Sequence, residues 1–520
     1  MANINADFKK LEKMTGRSEK EIIDCLTKIG MPVEEEEGEV VVEITPNRPD
    51  LFCIEGIARA VIAYYDKKIP EYKSEKSEYS MEISKETRKV RPEVSAAVVR
   101  GLDIDEGLLE DLMQMQEKLH QTIGRKRKKV AVGIHDLDNM SGKLEYVIAK
   151  GEKLVPLETE EEMGIQEVLE NPPKGRAYSH LVPEGKAVLI KDEKGVISFP
   201  PVINSERTRV TEKTRNLLIE ATGTSRETVR KTVNIIATAL ADRGGKLFQV
   251  EIDGETHPDF TEEKISVDME KAGKVLGVEL DMEVGKACLQ KMGIGVEGGH
   301  ALVPPYRADI ISFTDIMEDI AIGYGYENLE PTLPQLTTTG KENRRLEPLH
   351  DAMTGMEFLE VKNYFLTNPE KLGKVGKEKG ALAIENSASE EFTHLRTTLI
   401  SGVMECFATN KMKGLPQKIY ECGRIYKEGE KEGLCFAFME DGASLTTLQP
   451  FLQTMASWMG KKLDLKPGKD SCFIEGRCAE VFLGGKKAGV IGSVQPEILK
   501  KYGLEYPVAV CELDVGNLVE

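Results

Sequence analysis

Apolar residues recur at helical spacing in some segments of the chain and form short uninterrupted runs in others. Ile22, Leu26 and Ile29 share one face of a predicted helix, and Ser18 is placed to cap its first turn. Residues 130–134 are mostly valine, alanine and isoleucine, which predicts a buried strand. Helical and extended patterns are mixed along the whole chain. The pattern therefore predicts an α+β fold rather than a bundle of helices or a sandwich of sheets.

The first 66 residues show the same mixture. Residues 34–37 are consecutive glutamates and predict a loop, and residues 40–44 predict a strand. After a turn with two prolines, Asp50 is predicted to cap a helix from Leu51 to Tyr65. The turn can present its polar side chains to a ligand, or it can be purely structural.

A change in composition then predicts a domain boundary. Residues 67–91 are rich in lysine and glutamate and are expected to form a linker and an edge strand. A chain of 520 residues holds about three or four domains. We expect a multidomain α+β protein divided into an N-terminal α+β domain (1–85), a second domain (86–263), a small helical domain with a strand pair (264–335) and a mostly antiparallel sheet carrying helices (340–520).

One predicted helix of the third region contains a cluster of acidic residues. Ser312 and Asp315 have the spacing of a capping box, and the apolar residues that follow recur at helical spacing up to Tyr324. Four carboxylates lie in or just before its first two turns. The cluster is either a solvated acidic face, or a site for a hard cation such as Mg²⁺ or for a partner's arginines. Its members are Asp309, Asp315, Glu318 and Asp319.

The composition of the chain limits the classes of function that it can have. The chain is 40% hydrophobic and 30% charged with a net charge of −18, so any contact with nucleic acid must be local. It begins without a signal-peptide pattern and contains no apolar run of membrane-spanning length, so we expect a cytoplasmic protein with no membrane partner. Its nine cysteines form no Cys-x-x-Cys pair and are expected to be reduced and mostly buried.

Several polar residues of the second region are candidates for a site. Residues 125–129 are five successive basic residues, which form either a solvated turn or a phosphate contact. His135 ends a predicted strand and serves either as a pocket donor or as a structural histidine. Glu220 and Thr222 end another strand, where they suit a small-ligand pocket or simple helix capping. The chain lacks the common nucleotide-binding, zinc-protease and serine-hydrolase motifs.

Four sequence blocks together carry a family resemblance. They are Glu43 to Asp50 with Gly56 to Arg59, Leu119 to Asp138, the acidic helix as far as Tyr326, and Leu395 to Leu399. The chain resembles the beta subunits of phenylalanyl-tRNA synthetases of archaeal and eukaryotic type, over essentially its whole length. The resemblance implies a class II aminoacyl-tRNA synthetase that contains two alpha and two beta subunits. That enzyme attaches phenylalanine to its tRNA with ATP and Mg²⁺, and the alpha subunit carries the synthetic active site.

The resemblance also implies a role for each region. Residues 86–263 resemble an editing domain that hydrolyses tyrosine wrongly joined to the tRNA. The pocket residues implied are Leu189, Ser198, Glu220, Thr222 and His135, and the implied RNA contacts are Arg125, Lys126 and Arg127. Mg²⁺ would be shared with the alpha subunit by Asp309, Asp315, Glu318 and Asp319. Residues 264–335 resemble a small DNA-binding fold.

Residues 340–520 resemble a class II catalytic core that has lost its activity. A hairpin is predicted from Ala479 to Gly492, turning at Gly484 and Gly485. At its end, residues 489–493 are the nearest candidate for a glycine-rich ATP-binding strand, but no arginine follows them. A structural role is therefore expected for this region. The alternative for the whole chain is a non-catalytic RNA-binding or assembly scaffold protein.

Overall fold

The structure is a computed structural model that describes residues 2–36, 39–333, 340 and 344–516. The chain divides into two compact units, Met1–Leu333 and Pro334–Glu520. The first begins with a three-stranded antiparallel sheet in the order β1-β3-β2 and three helices. These elements are β1 (Ala2–Asn5), α1 (Phe8–Thr15), α2 (Glu19–Lys28), β2 (Val33–Glu36), β3 (Glu39–Ile44) and α3 (Ile54–Asp66).

Two expectations for this part are wrong, while the helix capped by Ser18 and the strand at 40–44 are confirmed. Ser18 caps helix α2 immediately before its first residue, and the backbone N–H of Ser18 donates to Glu21 Oε2 at 2.9 Å. Residues 34–36 form a strand instead of a loop, because they pair with the apolar strand β3; Glu37 lies outside the described residues. Asp50 does not cap α3, which begins after Cys53. Its carboxylate is instead bound by Arg48 through two hydrogen bonds of 2.9 and 2.8 Å.

Two sheets dominate the next part of the first unit. The four-stranded sheet has the order β14-β5-β13-β6, and the seven-stranded sheet has the order β12-β11-β10-β7-β4-β15-β16. The elements are β4 (Ser80–Ile83), β5 (Glu93–Arg100), α4 (Glu106–Gln121), β6 (Val130–Asp136), β7 (Lys143–Ile148), the pair β8 (Lys153–Leu154) and β9 (Met163–Gly164), α5 (Ile165–Glu170), α6 (Pro173–Tyr178), β10 (Val188–Asp192), β11 (Gly195–Phe199), β12 (Ile203–Asn204), β13 (Asn216–Gly223), α7 (Arg226–Asp242), β14 (Lys246–Phe248), β15 (Val250–Ile252) and β16 (Glu255–His257).

The alternation of side chains along the four-stranded sheet separates two cores. Leu217, Ile219 and Ala221 of β13 pack on the side of α7, whose Val233 and Ile236 belong to the same cluster. Leu218, between them, belongs to the cluster that joins the two sheets. The edge strand expected within residues 67–91 is found as β4, but it does not lie at an edge, since β4 pairs with β7 on one side and β15 on the other.

The first unit ends in three helices and a three-stranded sheet of order β17-β19-β18, which adds one strand to the expected pair. The elements are β17 (Glu263–Ser266), α8 (Met269–Leu276), α9 (Met282–Lys291), β18 (Gly295–Glu297), β19 (His300–Val303) and α10 (Phe313–Tyr324). The acidic helix is confirmed as α10. The carboxylate of Asp315 completes its capping box by accepting from the backbone N–H of Ser312 at 2.7 Å.

The second unit is built on a seven-stranded sheet, with order β20-β23-β24-β28-β27-β26-β25, as the antiparallel pattern predicted. Only the pairing of β20 with β23 is parallel among its described strands. The predicted hairpin turns at Gly484 and Gly485, both with positive φ. The elements are α11 (Glu347–Gly355), β20 (Leu359–Glu360), β21 (Leu366–Thr367), α12 (Pro369–Lys374), β22 (His394–Leu395), α13 (Ile400–Thr409), β23 (Gln417–Tyr426), β24 (Glu430–Met439), α14 (Leu445–Trp458), β25 (Leu463–Pro467), β26 (Phe473–Leu483), β27 (Lys486–Val494), α15 (Pro496–Lys501) and β28 (Val508–Asp514).

Candidate functional site

A cleft opens beside the proline corner that follows β11. Its cavity volume is about 70 Å³, and both polar and apolar side chains line it. Pro200 and Pro201 line it and are joined by a cis peptide bond. The other lining residues come from α4, the turn before β6, β6 itself, the loop after β8, α6, the segment from β11 to β12, and β13. They are Gln116, His120, Arg127, Ala131, Val132, Leu157, Lys174, Ser198, Phe199, Val202, Ile203, Asn204 and Glu220.

A buried carboxylate forms the inner end of this cleft. Glu220 on β13 is 2% exposed, and Ser198 Oγ donates a hydrogen bond of 2.9 Å to its Oε1. His135 Nε2 lies 3.8 Å from the same oxygen. The second oxygen, Oε2, is buried and has no hydrogen-bond partner. A buried acceptor without a hydrogen bond lowers the stability of the fold, and a ligand that donates a hydrogen bond removes this cost. Oε2 can therefore accept a hydrogen bond from the hydroxyl or amine group of a ligand.

Strand register explains how Glu220 and His135 approach each other. Glu220 is paired directly with Gly133 of β6, and His135 lies two residues further along on the same face. A Cβ atom at position 133 would lie 2.3 Å from Glu220 Oε1 and 2.7 Å from His135 Nε2. Glycine at this position therefore leaves the space that both polar groups occupy.

The other residues predicted for this pocket support the cleft without lining it. His135 is fully buried, and its Nδ1 forms a 2.9 Å hydrogen bond with Thr208 Oγ1. Thr222 Oγ1 accepts from Arg91 Nε at 2.9 Å, and its carbonyl oxygen accepts from Arg91 Nη2 at 2.6 Å. Leu189 is buried in the apolar cluster behind the cleft.

The basic run divides into an exposed part and a cleft part. Arg125 and Lys126 are exposed, and with Arg127 they form a turn in which all three φ angles are positive. Arg127 turns inward, donates from Nη1 to the carbonyl oxygen of Val202 at 2.9 Å, and lies over the ring of Tyr178 at 4.2 Å. Its Nε is buried without a partner. The side chains of Arg125 and Lys126 are therefore accessible to the phosphate groups of a nucleic acid, whereas Arg127 forms part of the cleft wall.

Sequence reasoning missed several lining residues, among them Gln116, His120, Lys174 and Asn204. Gln116 and His120 lie four residues apart on α4, so they share one helix face. That spacing was visible in the sequence. What the sequence does not contain is the pairing that brings this face against β6.

The acidic cluster is arranged around an arginine. Arg307 is 2% exposed, and its Nη2 lies 2.7 Å from both Asp309 Oδ2 and Asp319 Oδ2. Asp315 is used by the helix cap, and Glu318 is exposed. Burial opposes ionisation of Asp309, but the charge of Arg307 outweighs it and lowers the pKa to about 2. Burial raises the pKa of Asp319 above its usual range, although Arg307 opposes it.

These four residues are the candidate ligands for a metal ion. Carboxylate oxygens are the donors that Mg²⁺ prefers. However, Arg307 and the helix cap already bind three of the four carboxylates, and within residues 2–36, 39–333, 340 and 344–516 no group of three acidic, cysteine or histidine residues is arranged to hold a metal. The donor chemistry fits the ion, but the chain by itself does not complete a site.

Comparison with known proteins decides the family. Three family descriptions match successive regions of the chain: the B3/4 domain at residues 111–244, the tRNA synthetase B5 domain at 265–326, and the phenylalanyl tRNA synthetase beta chain CLM domain at 329–515. The chain is 35% identical to the phenylalanine–tRNA ligase beta subunit of Archaeoglobus fulgidus, over 98% of this chain and 97% of that protein. The beta subunit of Methanosarcina barkeri is also 35% identical, over 100% and 99%. The chain belongs to the family of phenylalanine–tRNA ligase beta subunits.

A solved structure agrees with this assignment. The crystal structure of an N-terminal fragment of the phenylalanyl-tRNA synthetase beta subunit from Pyrococcus horikoshii superposes with a TM-score of 0.58 and 35% identity. It covers 62% of this chain and 99% of that fragment. The family resemblance inferred from the sequence is thus confirmed. The cleft residues from Gln116 to Glu220 lie in the B3/4 match, and the acidic helix lies in the B5 match.

The glycine-rich strand of the CLM region has a structural explanation. A Cβ at Gly489 would lie 2.0 Å from the carbonyl oxygen of Glu512, and one at Gly492 would lie 2.5 Å from Cγ of Phe473. Ser493 Oγ accepts from the backbone N–H of Leu445 at 3.0 Å. These residues serve close packing within the sheet and its helix. Across the described ranges, we find no helix with both the length and the apolar character needed to cross a membrane.

Proposed function

We propose that this chain acts in the cytoplasm as the beta subunit of a phenylalanine–tRNA ligase, with two beta and two alpha subunits joined in a heterotetramer. The complex uses ATP to attach phenylalanine to its tRNA. Near-complete coverage of the archaeal beta subunits supports this assignment. The synthetic active site lies in the alpha subunit, because the glycines that resemble an ATP-binding strand in this chain are used for packing.

Adenylate formation tests this division of labour. The purified chain should form no phenylalanyl adenylate from phenylalanine, ATP and Mg²⁺, and the same chain mixed with the alpha subunit should form it. Adenylate made by the beta chain alone would contradict the inactive core. Failure to form adenylate with a folded, co-purified alpha subunit would contradict the ligase assignment.

The same chain carries an editing site for tyrosine wrongly attached to the tRNA. The observation that carries this proposal is the buried, unpaired Oε2 of Glu220 at the inner end of the cleft. A tyrosyl hydroxyl can donate to it, whereas a phenylalanyl ring leaves it unpaired. A pocket built to hydrogen-bond a hydroxyl rejects the analogue that lacks it by about 10⁴-fold or more, while an apolar synthetic site excludes an added hydroxyl only by about 10²-fold. Editing supplies the missing discrimination.

The reaction is hydrolysis of the aminoacyl ester. Water attacks the ester carbonyl carbon, the bond to the ribose oxygen breaks, and that oxygen takes up a proton, so tyrosine and uncharged tRNA are released. Glu220, with Ser198 donating to its other oxygen, holds the phenol and so orients the ester. Thr222 and His135 support the strands around it, and Leu189 supplies apolar backing. Arg125 and Lys126 contact the RNA backbone outside the cleft.

Deacylation separates this proposal from a non-catalytic RNA-binding or assembly scaffold. The full complex should release tyrosine from tyrosyl-tRNA that carries the phenylalanine anticodon much faster than buffer does. A scaffold would bind the tRNA without accelerating release. Changing Arg125 and Lys126 to alanine should weaken tRNA binding and reduce its salt dependence, because each phosphate that is neutralised by a basic side chain releases roughly one counterion.

We also propose that Asp309, Asp315, Glu318 and Asp319 contribute to a Mg²⁺ site that the alpha subunit completes. Bound Mg²⁺ would supply positive charge beside these four carboxylates. Titration of the isolated chain with Mg²⁺ should show weak binding, and the complex should bind more tightly. Tight binding by the isolated chain would contradict a shared site.

A further inference from the structure

An edge strand of the first unit is completed by side chains instead of by another strand. Strand β6 is the last strand of the four-stranded sheet, so the outer backbone groups of Val132 have no strand partner there. Gln116 Nε2 donates to the carbonyl oxygen of Val132 at 2.7 Å. The backbone N–H of Val132 donates to His120 Nε2 at 2.8 Å. Two side chains of α4 therefore bind both backbone groups of one residue at the wall of the cleft.

This pairing fixes the protonation of the His120 ring. Nε2 accepts a hydrogen bond from a backbone amide, so the proton of the neutral ring must reside on Nδ1. Burial lowers the pKa of His120, which keeps the ring neutral at physiological pH. The side chain is 2% exposed, and Nδ1 has no hydrogen-bond partner. The carboxylate of Glu117 is 3.7 Å away, beyond hydrogen-bond distance.

We propose that His120 is a substrate-binding residue of the editing site, whose Nδ1–H donates to an oxygen of the ester or terminal ribose of the mischarged tRNA. This inference rests on the editing function proposed above. It assigns a second binding position in the cleft, on α4 beside the edge strand β6.

The distribution of unpaired atoms supports the assignment. Glu220 Oε2 is an acceptor, while His120 Nδ1 and Arg127 Nε are donors, and all three residues line the same cleft. Glu220 lies on β13, one strand inward from β6, and strands are spaced about 4.8 Å apart. A tyrosyl group whose phenol reaches Glu220 therefore extends its ester toward the edge of the sheet. Ester and ribose oxygens are acceptors, which match the donors found at that edge.

Two substitutions separate this binding role from the structural role. In His120→Gln the side-chain amide can place its oxygen near the position of Nε2, so Val132 N–H keeps its acceptor while the Nδ1 donor is lost. In His120→Asn the amide nitrogen can lie near Nδ1, so the donor remains while the bond to Val132 is lost. His300→Gln, on an exposed histidine of β19, is the control.

The readouts are single-turnover deacylation of tyrosyl-tRNA by the full complex, the affinity of the full chain for a 3′-tyrosylamido-adenosine that cannot be hydrolysed, and the thermal midpoint. His120→Gln should lower deacylation and analogue affinity about tenfold with an unchanged midpoint. His120→Asn should keep both within about threefold but lower the midpoint. The control should match the unsubstituted chain in all three.

Each departure from this pattern has a defined meaning. If His120→Gln deacylates and binds normally, or if both variants lose activity only in proportion to stability, the His120 proposal is wrong. If the unsubstituted complex binds the analogue but does not hydrolyse the ester, the proposed editing function is wrong. The effect of His120→Gln on analogue affinity then still decides whether His120 binds the ligand. If the unsubstituted chain neither binds nor hydrolyses, both proposals fail.

Discussion

A single glycine controls the inner end of the cleft. Gly133→Ala should disable editing, since its Cβ would lie 2.3 Å from Glu220 Oε1 and force the carboxylate or His135 to move. We expect tyrosyl-tRNA deacylation to fall at least tenfold. Gly142→Ala is the matched control, because its nearest neighbour is 3.6 Å away. Equal activities for the two variants would show that Glu220 tolerates displacement.

The stability of the fold should depend on pH because of a second buried histidine, His257. His257 is buried with Ser95 on Nδ1, and burial, reinforced by the charge of Arg230 and opposed by that of Glu255, lowers its pKa to about 4. In the unfolded chain the ring of His257 becomes protonated near pH 6.5, whereas in the folded chain it becomes protonated only near pH 4. Stability is therefore full above pH 6.5 and is lost as the pH falls to 4, by about 3 kcal/mol.

This slope is measurable by urea unfolding at a series of pH values. His257→Asn can retain a polar atom near Nδ1 for Ser95 but does not titrate, so its stability should vary less between pH 6.5 and 4. His300→Asn, on an exposed side chain, should leave the slope unchanged. An identical slope in all three proteins would contradict the assignment.

Residue chemistry was predictable where a polar group interrupts an apolar strand. Glu220 is a candidate because of the strand that it ends, whereas Ser198 is implied only by the family resemblance, and the two side chains lie within hydrogen-bond distance of each other in the structure. Gln116 and His120 are not predicted, because their partner is a backbone group of β6 that no sequence pattern assigns to them. The helical spacing of residues shows which of them share a face of a helix, but it does not show which other part of the protein contacts that face.

At the scale of elements, Arg307 joins the loop before α10 to the helix itself. Arg307→Met should lower the free energy of unfolding by about 3–5 kcal/mol, because it leaves Asp309 and Asp319 buried without their counterion. Arg209→Met is the control, since that arginine is about half exposed and pairs with Glu206 at 3.2 Å, and its loss should cost at most about 1 kcal/mol. Chemical unfolding measures both, and similar losses would contradict a structural role for the buried arginine.

Local patterns predict helices better than strands. The capping boxes of α2 and α10 lie within a few residues of the elements they begin, so the sequence contains the whole signal. Strand β2 escapes prediction because its glutamates are stabilised by pairing with β3, and β4 is wrongly predicted as an edge because its two neighbours lie far away in sequence. Pairing partners, rather than propensity, determine both outcomes.

At the scale of the whole molecule, the chain combines a cleft that contains a buried carboxylate with a sheet whose glycines are needed for close packing. The mixed multidomain fold was predictable from alternating helical and strand patterns, and the family from sequence blocks spread over the chain. The arrangement of Asp309 and Asp319 around Arg307 was not, because a row of carboxylates in a sequence does not reveal which cation they face.

The central claim is that Glu220 selects tyrosine for removal. The most direct measurement compares deacylation of tyrosyl-tRNA and phenylalanyl-tRNA, both with the phenylalanine anticodon, by the complex carrying Glu220 or Glu220→Ala. The unsubstituted complex should strongly prefer the tyrosyl substrate, and the variant should lose most of that preference while aminoacylation continues. Retention of the full preference by the variant would contradict the account.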